Sequence, residues 1–166
     1  MPIIDSILNE LDQEGATTRR VLERVPEASL AWKPHVKSMS LGELAMHVAT
    51  TPGGVAEIIK NDTAEVPQFA NRPTAASRAE LLNALEKAIA QAKGILTKLD
   101  DDALNAQWTL KRGNHVVFSV PRMTVIRSIL LNHWYHHRGQ LSVYLRLLDV
   151  RVPSIYGPSA DENPFG

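Results

Sequence analysis

The chain contains no cysteine, which excludes a disulfide framework, a thiol nucleophile and every thiolate-held metal or iron–sulfur site. It has no excess of charge either: eighteen Lys and Arg balance eighteen Asp and Glu. No net field then favours a nucleic-acid backbone or an anionic bilayer, and neither nucleic acid nor membrane is expected as a partner. No stretch reaches the ~18 consecutive apolar residues of a membrane-spanning helix. The opening MPIIDSILNELDQEG mixes acidic and apolar residues and lacks the basic and apolar regions of a secretory signal, so a cytoplasmic location is expected. No repeat or low-complexity tract interrupts the 166 residues, of which 44% are apolar and 22% charged. That balance predicts one globular domain over residues 1–166.

What the chain does have is six histidines: His35, His47, His115, His133, His136 and His137. With cysteine absent, any metal or acid–base chemistry near neutral pH falls to these imidazoles and to carboxylates.

Prolines divide the chain, and four helix-like patterns lie between them. The first spans about residues 2–24, with Ile4, Ile7, Leu8, Leu11, Thr18, Val21 and Leu22 near a helical period. The second opens at Ser40, which forms a capping-box pattern with Glu43. Pro52-Gly53-Gly54 then predicts either a kink with resumption through Val55, Ile58 and Ile59, or an end and a short new helix. A second capping box, Ser77 to Glu80, opens the clearest helix, whose stripe is Leu81, Leu85, Ala88, Ala92, Ile95 and Leu99 and whose end is Asp100-Asp101-Asp102. Between Gln107 and Val120, two β-type runs flank Lys111-Arg112-Gly113-Asn114 and predict a small hairpin. Pro121 suits the first turn of a last helix running to about Asp149, which Pro153 prevents from continuing. The expected architecture is all-α, a four-helix bundle with a small β-hairpin before the last helix. The connections at residues 61–76 and 100–120 are long, so one of them is expected to cross the bundle or shape a site.

The stripe of the last helix reads Ile126, Leu130, His133, His137, Leu141, Tyr144 and Leu148. Two imidazoles thus replace aliphatic residues in its middle. Four residues apart, His133 and His137 share a face one turn apart, the spacing that lets two ring nitrogens reach one metal ion. Such a site needs a ligand from another helix, and His47, on or beside the buried face of the second helix, is the natural candidate. Three neutral imidazoles leave a position open for water or substrate, and they suit Zn²⁺, Ni²⁺ or another late first-row divalent ion. His136 is a rival ligand but points about 100° away from His137. His35 and His115 fall in loop-like segments and are expected to be exposed.

Other residues carry paired readings. Glu43 is the acidic residue one turn from a proposed ligand, suited to a general base or simply to its capping box. Gln140 is placed either to bond a ligand or to pack. Arg138 is read as pairing with Asp161 or Glu162 of the tail, or as exposed. Gly139 inside a helix predicts close approach of another backbone. Trp134 and Tyr135 are read as packing residues, at a dimer surface if one exists, and Trp32-Lys33-Pro34 as a loop anchor.

NHWYHHRGQLSVYLR followed by VPSIYGPSADE, together with WKP at Trp32-Lys33-Pro34 and SLGELAMH ending at His47, closely resembles the DinB-like (DinB/YfiT-like) superfamily of metalloenzymes. The resemblance runs from the first helix to Glu162 and implies a four-helix bundle, often dimeric, that holds a divalent metal on three histidines. Position by position it implies His47, His133 and His137 as ligands, and so favours His137 over His136. The chain departs from the pattern at Asp149, where relatives often carry Gly or Asn.

For activity, the resemblance implies several options. Some members are S-transferases that use mycothiol, bacillithiol or glutathione, one branch is a maleylpyruvate isomerase, and others are described as metal-dependent hydrolases. The preferred expectation is a metal-dependent S-transferase acting with a low-molecular-weight thiol on a small-molecule substrate, as a homodimer. The absent cysteine is compatible with a nucleophile that arrives with the cosubstrate. The alternatives are a hydrolase with metal-activated water and a non-catalytic, stress-associated metal-binding module.

Overall fold

The computed structural model describes residues 2–68 and 72–166. It is mostly helical with a small three-stranded sheet. Helix α1, Ile3–Leu22, buries Ile4, Ile7, Leu11, Thr18, Val21 and Leu22, the stripe expected from its period with Leu8 left at the margin. Pro2 offers its first turn no side-chain cap; instead the Ile3 N–H donates to Asp101 Oδ1 at 2.9 Å, a partner from far along the chain for a group the helix cannot satisfy itself.

Helix α2, Leu41–Ile59, opens with the expected capping box: the Glu43 N–H donates to Ser40 Oγ at 3.1 Å and the Ser40 N–H to Glu43 Oε2 at 2.6 Å. It runs unbroken through Pro52, the first of the two alternatives. Pro52 has no N–H for the Val48 carbonyl one turn back. The indole N–H of Trp134 takes that carbonyl at 2.8 Å in the buried interior. Next to it, a Cβ on Gly53 would lie 2.9 Å from Ala88 Cα, so glycine lets α2 and the following helix approach closely.

The strand β1, Thr63–Glu65, leads on to helix α3, Arg78–Leu96. Ser77 caps α3 through the Glu80 N–H at 3.2 Å, but the Glu80 carboxylate accepts from Ala76 N–H at 2.7 Å, so only half of the expected box forms. Leu81, Leu85, Ala88 and Ala92 face the core as expected; Leu96, not Leu99, completes the buried stripe. Asp100 does not end a helix but begins one. Its carboxylate accepts from Ala103 N–H at 2.8 Å and caps helix α4, Asp101–Asn105.

The expected hairpin is present as β2, Gln107–Arg112, and β3, His115–Pro121, joined around Gly113 at φ 57° and bulged between Leu110 and Lys111. β1 adds to β2 in parallel, Thr63 opposite Thr109 and Glu65 opposite Lys111. The all-α expectation with a lone hairpin is therefore corrected to a helical fold with a three-stranded sheet of order β1-β2-β3. The last helical stretch comprises α5, Arg122–Val125, a π-helical segment, Ile126–Asn132, and α6, His133–Leu147. It stops where Asp149 adopts φ 57°, a left-handed conformation natural to Gly or Asn.

α2 packs against α3 and α6, and α1 against α2, α3 and α6. The buried Arg122 ties the sheet end to α2 by donating through Nε to the Ile59 carbonyl at 3.0 Å and pairing with Asp62. The tail folds back on the helices, with Arg146 pairing Asp161 and Arg20 pairing Glu162. Arg138, expected on one of those two acids, is instead 1% exposed and pairs with Glu14 at 2.6 Å. It also donates to Thr18 Oγ1 at 3.1 Å and to the Tyr156 hydroxyl. Among the described residues, a Cβ on Gly139 would meet nothing within 4 Å, so the expected close backbone approach is not found there. Trp134 is fully buried in the core and not at a surface. No helix among the described residues is long and apolar enough to cross a membrane.

Candidate metal centre

The π-helical segment sets the facing of the two histidines that follow it. A π turn carries an extra residue, which rotates the later side chains by about one position, or 100°, relative to an uninterrupted α-helix. Downstream of the π segment the buried residues are Trp134, Arg138, Leu141 and Leu145. The stripe drawn through His133, His137 and Tyr144 is corrected accordingly. The imidazoles stand one position earlier, half-buried on the flank that faces α2.

His47 comes from the middle of α2, where its carbonyl accepts from Thr51 Oγ1 at 2.6 Å. The next carbonyl along, that of Val48, is the one held by Trp134, the residue after His133. This clamp joins the two helices beside both histidines and fixes their separation.

The three rings converge. His47 Nε2 lies 3.2 Å from His133 Nε2, and the ring centroids are 4.4 Å apart for His47 and His137, 4.5 Å for His133 and His137 and 5.3 Å for His47 and His133. One nitrogen of each ring lies within 4.8 Å of the others. Two nitrogens on one tetrahedral ion, each about 2.0–2.1 Å from it, stand about 3.3 Å apart, so the 3.2 Å contact fits shared coordination. A hydrogen bond between two of the rings would fill the same distance but leave the third without a role. His137 Nδ1 donates to Gln140 Oε1 at 2.7 Å. That bond fixes the proton on Nδ1 and turns the Nε2 lone pair free for a metal. Gln140 therefore bonds a proposed ligand; it does not merely pack.

Electrostatics keep the rings neutral, the form that coordinates. Burial, then repulsion from His137 and His133, lowers the His47 pKa to about 4. Burial is also the first cause holding His133 and His137 below the usual imidazole range, with the Gln140 bond opposing it at His137. Glu43 borders the same cleft with its Oε2 engaged: that oxygen accepts from the Ser40 N–H, which holds the carboxyl below the usual range, and Lys33 Nζ lies 3.7 Å from it. Its capping role is the one the structure shows. His35, His115 and His136 are exposed and take no part in the cluster.

A cleft of about 310 Å³ leads to the histidines. Thr50, Gln68 and Arg72 line it and were not singled out from sequence. The long 61–76 connection supplies the last two, so it does shape the site. Arg72 is exposed and its charge helps to lower the pKa values of His47 and His137.

Residues 3–163 match the sequence model of the DinB family. The chain belongs to the DinB family. Among the relatives of this DinB-family protein is the uncharacterized protein YrdA of Bacillus subtilis, 26% identical over 168 residues that cover 96% of this chain and 91% of YrdA. A crystal structure of a DinB-like protein from Bacillus cereus shares the fold at TM-score 0.69 with 20% identity, covering 92% of this chain and 97% of its own. The DinB-like protein YjoA of Bacillus subtilis does so at TM-score 0.69 with 22% identity, covering 90% and 97%.

Proposed function

We propose that this DinB-family protein is a metal-dependent S-transferase. In this reading four long helices form a bundle whose facing members pool His47, His133 and His137 as ligands to one divalent late first-row ion, zinc or nickel. The convergence of three neutral imidazoles with no carboxylate among them, which leaves a coordination position open, is the observation that carries it. A bound ion supplies the positive charge that keeps a cosubstrate sulfur as thiolate near neutral pH.

The chain's own residues do the rest. Gln140 orients His137, and the Trp134 bond to α2 holds His133 opposite His47. Arg72 offers a cation in the cleft for the carboxylates of a glutathione- or bacillithiol-type thiol. Glu43, the one carboxylate among the described residues that line the cleft, has Oε2 held by its cap and a lowered pKa, which makes it a weak base for water and favours thiol transfer over hydrolysis. The protein is proposed to work on a small-molecule electrophile, as a cytoplasmic homodimer.

The test is a panel of glutathione, bacillithiol and mycothiol with small electrophiles, run on metal-loaded protein. Thiol consumption that disappears in His133→Ala supports the reading. Hydrolysis of model esters without thiol would transfer it to a hydrolase, and metal binding without turnover to a non-catalytic module.

A further inference from the structure

A second cleft, of about 430 Å³, meets the first at His47, Thr50 and His133. It exists because the sheet folds over the C-terminal half of α2: β1 carries the chain across, and β2 and β3 present Trp108, Leu110 and Phe118 toward Val55, Ile58 and Ile129. Among the described residues, no Asp, Glu, Lys or Arg lines it. Phe118 and Ile129 are 37% and 40% exposed, apolar surface that a monomeric domain ordinarily covers or uses. Trp108 is 2% exposed, and its indole Nε1 is the one buried side-chain polar atom without a hydrogen-bond partner among the described residues. Thr50 and Thr51 spend their hydroxyl protons on the Met46 and His47 carbonyls, so beyond the two histidines the wall offers its occupant chiefly apolar contact. Its volume lies within the usual range of small-molecule pockets, about 300–1,000 Å³.

We propose that this cleft is the substrate subsite, and that the electrophile is an uncharged, mainly apolar small molecule that lies along Ile58, Trp108 and Phe118 with its reactive end at His47 and His133. The proposal rests on the metal-site reading given above and assigns the two lobes different cargo. The lobe with Arg72 takes the polar cosubstrate, and the charge-free lobe takes the electrophile. A charged body is excluded because burial against these walls leaves it unpaired.

The test uses N-phenyl-1-naphthylamine, a neutral fluorescent probe, titrated into the intact chain with metal content measured on the same samples. Saturable binding of one equivalent per chain in the micromolar range is expected. Gly54 lines the cleft and a Cβ there meets nothing within 4 Å, so Gly54→Phe is expected to fill the lobe and weaken the probe at least tenfold without change in metal content or melting temperature. Ile129→Lys, a charge placed on the partly exposed wall, is expected to do the same. Absence of saturable binding, or unchanged affinity in both variants, would overturn the proposal. So would light scattering that shows Gly54→Phe splitting a dimer while the probe still binds, because a second copy would then occupy the cleft. Metal bound without the probe sinks the subsite and spares the metal reading; probe bound without metal keeps an apolar site and sinks the reading on which its substrate role rests.

Discussion

At the scale of single residues, His47 responds most strongly to its surroundings among the three clustered histidines. Burial and two neighbouring imidazoles hold its pKa at about 4 in the folded chain, against about 6.5 when unfolded. A depressed pKa means that the unfolded state binds the extra proton, so the neutral ring's contribution is fully present above about 6.5 and is lost as pH falls through about 4. Urea unfolding of the metal-free protein is therefore expected to show stability declining from pH 6.5 to 4, with a shallower decline in His47→Gln. Gln140 acts on His137 in the same neighbourhood. Removing such an outer partner typically costs about 10- to 100-fold in metal affinity, and Gln140→Ala is expected to show that loss by competition with a chelator while retaining its fold. The three histidines were legible in the sequence because the spacing of His133 and His137 and a third histidine on another helix, His47, point to them. Arg138 was not: its side chain is buried against Glu14, and contacts between the first and last helices leave no trace in local pattern.

At the scale of elements, capping boxes and apolar stripes gave the helices nearly as they stand. Three features escaped: helix α4, whose cap Asp100 reads as a stop, together with β1 and the π segment. β1 is three residues, Thr-Ala-Glu, too short for alternation to register, and it forms only because β2 offers a free edge. The π segment is hidden because period reading assumes 3.6 residues per turn. The junction of α2 and α6 combines both helices' irregularities: Pro52 frees a carbonyl and Trp134 takes it. Trp134→Phe is expected to cost about 1–3 kcal/mol for the acceptor left unsatisfied. In that background, Pro52→Ala restores an N–H to Val48 and is expected to recover part of the loss. Denaturant unfolding of the two single variants and the double variant measures the coupling.

At the scale of the whole molecule, a balanced net charge coexists with strong local pairing. Arg138 and Glu14, 1% and 13% exposed at their side chains, join α6 to α1, and Arg138 also holds Tyr156 of the tail. Breaking a buried pair from one side leaves the other charge uncompensated, at about 3–5 kcal/mol. Arg138→Ala is expected to lower the melting temperature accordingly, whereas Arg146→Ala, an exposed partner of Asp161, is expected to cost about 1 kcal/mol or less. The junction of α2 and α6 brings the three imidazoles together. The most direct test is metal content by inductively coupled plasma mass spectrometry on protein purified without an affinity tag. The account predicts about one zinc, nickel or similar divalent ion per chain, lost in His133→Ala with the fold retained. A wild-type protein that carries no such ion, and cannot be loaded with one, would contradict it.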